Sequence, residues 1–247
     1  MIDRRVAGMK VLITREAEDA DRWASRLTGL GALTVVMPCL HCENITDPSV
    51  ATLLQASVEI SGWLVLSSRR GAVAAARMLN GTLTSRTKIA AIGPATARAA
   101  KEAFNRCDLV ASEHTAKGIA DALLQRFSLV KSAQPTRVVM AGAAGGRADV
   151  EITLTKSGVK VSRVDVYRTI PAPAVEPKRD LEAEELEFIL LASPSAVDGL
   201  RNIAIVPRSA KVLTIGPTTS AAAIAAGLIV HGEATEPNLD GMLDAIE

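Results

Sequence analysis

Hydroxyls, glycines and arginines collect where the apolar runs of this sequence stop. Val11-Leu-Ile-Thr14 runs into Arg15, Trp63-Leu-Val-Leu66 into Ser67-Ser-Arg-Arg-Gly71, and Glu187-Phe-Ile-Leu-Leu191 into Ala192-Ser-Pro-Ser195. Two further exits share one design: Ala91-Ile-Gly-Pro-Ala-Thr-Ala97 and Thr214-Ile-Gly-Pro-Thr-Thr-Ser220. A glycine ending a strand lets a ligand approach the backbone, and a proline suits the first helical position. The free N–H groups of a helix start attract anions. The candidate binding residues are therefore Arg15, Ser68, Arg69, Gly93, Thr96, Arg147, Ser193, Ser195, Gly216, Thr218 and Thr219. Acids are scarce among them, so the set suits a ligand with many carboxylates or phosphates. Taken singly, each serine or glycine also fits a plain cap or turn.

Tyr167 is the only tyrosine of the chain. Lying between a strand and a proline-rich stretch, it is either a proton donor or an amphipathic interface residue. Gly142-Ala-Ala-Gly-Gly146 follows a strand, but its spacing departs from a dinucleotide loop, and no acid ends the next strand. Cys39-Leu-His-Cys42 lacks the second close pair of a structural zinc site and follows Pro38 in an expected linker, so these read as ordinary cysteines. No Ser/His/Asp or Cys/His arrangement is suggested, and Glu184-Glu185 reads as a solvated face.

The elements that must position these residues follow from periodicity. Lys10 to Thr14 is a buried strand, and Ala20, Trp23, Ala24, Leu27 and Leu30 recur at helical spacing. With the strand Leu33 to Met37 they make a strand–helix–strand unit. Helices are expected over Ser49 to Ala56, Ala72 to Leu79, Pro94 to about Phe104, Ala116 to Phe127, Arg147 to Lys156 and Pro237 to Ile246. Strands are expected over Trp63 to Leu66, Asp108 to Val110, Arg137 to Met140 and Val159 to Val164. Pro171, Pro173 and Pro177 mark a linker. Lys10 onward matches Arg137 onward, and the two Gly-Pro units match each other at nearly the same spacing, about 125 residues. This predicts a twice-used α/β unit with a cleft faced by strand exits.

Bulk composition narrows the function. The 247 residues allow one large domain or two small ones, and 48% hydrophobic with 22% charged residues describes a soluble globular chain. Aromatics are 2%, so the cores must be aliphatic, and a net charge of +1 argues against nucleic-acid binding. No apolar run approaches membrane-spanning length, and Met1 to Lys10 lacks the apolar region of a signal peptide. Three cysteines make no disulfide framework. The expectation is a cytoplasmic monomer.

In this order and spacing the motifs carry a resemblance to the uroporphyrinogen-III synthase family. They are Val11-Leu-Ile-Thr-Arg15, Pro38, Leu66-Ser-Ser-Arg-Arg-Gly71, Ala91-Ile-Gly-Pro-Ala-Thr-Ala97 and Gly145-Gly-Arg147, then Val166-Tyr-Arg-Thr169, Ser193-Pro-Ser-Ala-Val197 and Ile215-Gly-Pro-Thr-Thr219. The resemblance implies two similar parallel-sheet, flavodoxin-like lobes joined by a two-stranded linker. One would comprise residues 1–38 with 170–247, the other 39–169. The crossings would fall near Pro38 to Leu40 and Thr169 to Pro173; a contiguous split near Lys131 is the competing boundary.

The resemblance also implies a reaction that needs no cofactor: cyclisation of the linear tetrapyrrole hydroxymethylbilane, with inversion of the last ring and loss of water. The substrate carries eight carboxylates. Tyr167 matches the family tyrosine and would assist departure of the hydroxyl. Ser68, Ser193, Ser195, Thr218 and Thr219 would hold carboxylates, and Lys211 matches a family lysine that begins a strand. The chain departs from the family pattern at Ala141-Gly-Ala-Ala144, where a charged run is usual, and at Glu16, where proline is common. A non-catalytic polyanion-binding or regulatory protein on the same fold is the alternative.

Overall fold

Runs with no exposed residue, such as Trp63–Leu66 and Phe188–Leu191, become the central strands of parallel sheets. The computed structural model describes residues 6–129 and 136–246. The alternative boundary near Lys131, and part of the Met1 to Lys10 stretch, lie outside these residues. In chain order the elements begin β1 (Lys10–Ile13), α1 (Ala17–Gly29), β2 (Leu33–Val36), β3 (Leu40–Asn44), α2 (Pro48–Ile60), β4 (Trp63–Leu66) and α3 (Arg69–Met78). There follow β5 (Lys88–Ala91), α4 (Pro94–Phe104), β6 (Leu109–Val110), α5 (Ala116–Ser128), β7 (Arg137–Ala143), α6 (Asp149–Lys156) and β8 (Lys160–Pro171). The rest are β9 (Arg179–Asp180), β10 (Phe188–Leu191), α7 (Pro194–Ile203), β11 (Ala204–Ile205), β12 (Lys211–Thr214), α8 (Pro217–Ala225), β13 (Val230–Glu233) and α9 (Leu239–Asp244).

The chain divides into two compact units. One contains Met1–Cys42 and Thr169–Glu247, the other Glu43–Arg168. The first carries a five-stranded sheet in the order β13-β12-β10-β1-β2, and a six-stranded sheet in the order β3-β8-β7-β4-β5-β6 forms the core of the second. Both sheets are covered on two faces. Leu64 and Leu66 of β4 point into one apolar cluster, while Trp63 and Val65 point into another. In the first unit Phe188 and Leu190 go one way, Ile189 and Leu191 the other. Burial on both sides is why these strands read as unbroken apolar runs instead of alternating ones. Each fully buried leucine or isoleucine contributes about 1.5–3 kcal/mol.

Several boundaries differ from the sequence expectation, each for a local reason. The exit after β4 is shorter than expected, because Ser68 caps α3 and the helix starts at Arg69. β7 runs on to Ala143, so Gly142 is strand and not turn. Tyr167 lies inside β8, which continues to Pro171. Leu40–Cys42 belongs to a strand: Leu40–Asn44 is β3, an edge strand beside β8, and the division between the two units falls within it, after Cys42. Pro171 ends β8 beyond Tyr167, the last residue paired with β7, so at that position no donor is owed to that ladder. The last helix is confined to Leu239–Asp244, capped by the Asn238 side chain. Among the described residues, no group of three or more His, Cys, Asp or Glu could hold a metal ion, and no helix is long and apolar enough to cross a membrane.

Cys39 is fully buried, and burial pushes its thiol from the ordinary 9.0 up to about 12. Between those values the folded chain keeps the proton that the unfolded chain releases. Stability therefore falls as pH rises, by about 1.4 kcal/mol per pH unit across that window. Denaturant titrations between pH 9 and pH 11 should show this slope for the native chain and a shallower one for Cys39→Ala. Equal slopes would mean that the thiol is not held neutral.

Candidate functional site

In doubly wound sheets a crevice opens where strand connections switch direction. In the second unit that point lies between β4 and β7, which pair in parallel while their chain connections run to opposite sides. A cavity of about 610 Å³ sits there, within the usual range of small-molecule sites. Its walls come from the strand ends and exits: Ser67 and Ser68 after β4, Ile92 after β5, Thr115 to Lys117 at the start of α5, Gly142 and Ala143 at the end of β7, and Gly146 and Arg147 beyond it. Arg163 and Tyr167 reach in from β8.

Tyr167 owes its direction to a bulge. β7 and β8 pair residue for residue up to Gly142 with Asp165, and then Ala143 pairs with Tyr167, leaving Val166 as an extra residue. Val166 and Tyr167 are consecutive, yet both pack against the same apolar cluster, which a regular pleat does not allow. The half-buried ring is anchored there while its hydroxyl lies 3.1 Å from Ser68 Oγ. Ser68 Oγ in turn accepts from the Gly71 backbone N–H at 3.0 Å, as the cap of α3.

Arg163 was not foreseen. Its Nε donates to Asp165 at 2.9 Å and its Nη1 to Glu151, while Nη2 donates to the Ala143 carbonyl at 2.6 Å and Nη1 to that of Arg147 at 3.3 Å. Burial alone would lower its pKa, but the hydrogen bonds and charges of Asp165 and Glu151 outweigh that, and the net shift is upward. The guanidinium thus clamps both ends of the turn after β7. A Cβ on Gly146 would stand 2.7 Å from Arg163 Nη2, so this glycine makes room for the clamp and not for a pyrophosphate. The charge absent from Ala141-Gly-Ala-Ala144 is brought to the same turn from the neighbouring strand.

Of the other expected residues in this unit, Arg147 lies at the cavity wall with its side chain mostly exposed, its Nε 2.8 Å from Asp149. Arg69 is exposed on the first turn of α3. Gly93 caps α4 without a side-chain bond, and a Cβ there would meet the His114 ring at 3.3 Å. Thr96 departs from expectation: at 5% exposure it faces the core, as the third helical residue of α4. Thr115 was overlooked as a site residue, although it caps α5 by accepting from Gly118 N–H at 3.0 Å. A threonine just before a helical apolar pattern is a readable cap signal.

In the first unit the expected residues also occupy strand exits. Arg15 follows β1 and stacks on Trp23, 4.8 Å from the ring centre. Ser193 caps α7, accepting from Ala196 N–H at 3.2 Å, and Ser195 is half-buried beside it. Gly216 caps α8 with open space where a Cβ would stand. Thr218 is exposed, whereas Thr219, at 1% exposure, turns its hydroxyl away from solvent. Beneath it Thr214 Oγ1 lies 2.7 Å from Ser220 Oγ, which donates to Glu233, so the start of α8 is tied to β12 and β13.

Fold and cavity together define a protein of doubly wound parallel sheets with a cavity of small-molecule size at a switch point. The family model described as uroporphyrinogen-III synthase HemD matches residues 21–244, and the chain belongs to the uroporphyrinogen-III synthase family. The uroporphyrinogen-III synthase of Synechococcus elongatus is 27% identical, the match covering 100% of this chain and 97% of that protein. The porphyrin biosynthesis protein HemD of Ruminiclostridium josui is 28% identical over 97% of this chain, which spans about half, 48%, of that protein's length. A mutant uroporphyrinogen III synthase from the extreme thermophile Thermus thermophilus shares the fold, with a TM-score of 0.50, 18% identity and 96% of each chain covered.

Proposed function

We propose that this chain closes hydroxymethylbilane to uroporphyrinogen III, inverting the last pyrrole ring and losing water, as a cofactor-independent lyase. The observation that carries the reading is the phenol of Tyr167, the only one in the chain, anchored by its ring and bonded through its hydroxyl at the wall of the switch-point cavity. Pyrrole nitrogen lone pairs expel the hydroxyl, and Tyr167 donates to the departing oxygen so that it leaves as water. The cationic azafulvene is then attacked by the substituted carbon of the last ring to give a spiro intermediate. The bond from that carbon to its original methylene bridge breaks, and the free α-carbon of the turned ring closes onto the bridge. A proton lost from carbon as the ring system rearomatises restores the phenol. The protein's main task is positioning, which can contribute on the order of 7–11 kcal/mol.

Carboxylates are assigned to helix starts and cations at the strand exits: Thr115, Lys117 and Arg147 in the second unit, Arg15, Ser193, Ser195 and Thr218 in the first. We further take the two units to be copies of one α/β design. Their sheet orders support this, since β2-β1-β10-β12-β13 and β8-β7-β4-β5-β6 coincide once the first is started at β10. A cytoplasmic monomer completes the proposal.

The test supplies freshly made hydroxymethylbilane and separates the isomers. Type III in excess over spontaneous type I supports the reading; type I alone overturns it. Within it, Thr218→Ala should raise KM about 5-fold while leaving kcat within twofold, because one hydroxyl contact to a carboxylate is lost. An unchanged KM would remove Thr218 from the site.

A further inference from the structure

We propose that Ser68 is a positioning residue for Tyr167, passing the polarity of a helix start to the phenol, and is not a ligand for a substrate carboxylate. The inference rests on the reading of Tyr167 given above.

The argument begins with hydrogen-bond capacity. A serine hydroxyl has one proton and two lone pairs. The Gly71 N–H can only donate, and at 3.0 Å it takes one lone pair of Ser68 Oγ. Ser68 keeps its proton and one lone pair for Tyr167 Oη, 3.1 Å away, where either hydroxyl can donate; the proposed role is the arrangement in which Ser68 donates. With a lone pair of the phenol so engaged, the phenol proton is left for the cavity, where the leaving hydroxyl would lie. Ser68 also caps the ten-residue α3, so it stands at the positive end of that helix. A hydroxyl already accepting from a helix N–H is a better donor, and the same field favours negative charge on the tyrosine oxygen as its proton leaves. Gly71 keeps the arrangement tight: a Cβ there would stand 3.1 Å from both Ser68 Oγ and the Ala141 carbonyl. None of this geometry leaves Ser68 Oγ turned chiefly to a ligand.

Because Tyr167 is the only tyrosine, full-length protein labelled with tyrosine 13Cζ gives one assignable resonance. The variants are Ser68→Ala and Ser68→Gly, the latter because glycine is accepted at a helix cap, with Ser68→Thr as the conservative rescue. Alanine and glycine should move the resonance and lower kcat about 10-fold with KM within twofold, and threonine should restore both. In a Tyr167→Phe background, Ser68→Ala should cause no further loss. An unmoved resonance overturns the coupling while leaving the role of Tyr167 intact. A raised KM with kcat kept, persisting in the phenylalanine background, would make Ser68 a carboxylate ligand instead. A moved resonance with unchanged kcat in both Ser68→Ala and Tyr167→Phe would overturn the role of Tyr167 and this inference with it.

Discussion

Tyr167→Phe should lower the rate of uroporphyrinogen III formation about 100-fold, the low end of what a positioned proton donor contributes. The substitution keeps the ring and hence its packing against the cluster around Val164 and Val166. It removes one hydroxyl and one hydrogen bond, to Ser68. Stability should change by only about 1 kcal/mol, the ordinary size of one such bond. The loss should therefore appear in kcat, with little change in melting temperature. Spontaneous closure continues at its own pace, so the share of type I product should rise as type III slows. Initial rates on fresh substrate, with separation of isomers and a parallel thermal scan, measure all three. A rate within twofold of the native enzyme would remove Tyr167 from the mechanism.

Gly199→Ala should be the most destabilising conservative change in the first unit. Gly199 lies on the buried face of α7, and a Cβ there would stand 1.7 Å from the Cys39 carbonyl oxygen, 2.7 Å from its carbon and 3.1 Å from the Ala172 nitrogen. These are backbone atoms held to each other, since Ala172 N–H donates to Cys39 O at 2.8 Å. No flexible side chain can swing aside, so either α7 lifts or the pair of chain segments shifts. Overpacking of this severity costs about 3 kcal/mol. For a chain of this size that corresponds to a melting temperature lower by about 6–12 °C. A drop of under about 2 °C would show that α7 yields with little resistance.

What the sequence disclosed tracks how completely each element is covered. β4 and β10 are buried on both faces, so their apolar runs left little room for another reading. The helix with Ala20, Trp23, Leu27 and Leu30 was equally plain, because those residues share one covered side. β3 and β13 escaped notice: Leu40-His-Cys-Glu-Asn44 and Val230-His-Gly-Glu233 are edge strands held by backbone pairing, with half-exposed side chains of mixed character. Composition carries no trace of such pairing.

The lining of the candidate site was legible as a set of strand exits, but its internal wiring was not. Ser68 and Tyr167 were each singled out, yet their bond spans 99 residues of sequence and depends on a bulge that no local pattern announces. Arg163 sits in an ordinary alternating strand, and only the turn it clamps reveals its role. Thr96 and Thr219 show the opposite error, since the third residue of a helix start turns inward where the helix lies on a sheet.

The first sheet draws β1 and β2 from one end of the chain and β10, β12 and β13 from the other, with all of Glu43–Arg168 between them. On the ribosome, the intervening unit can be complete while β1 still waits for β10, its partner on one side. At about 5–20 residues per second, the missing strands arrive only some seconds later. During that interval the apolar faces of β1 and α1 are a natural target for holding chaperones. Amino-acid changes that weaken only this unit should therefore reduce yield in the cell more than they reduce the activity of the molecules that mature.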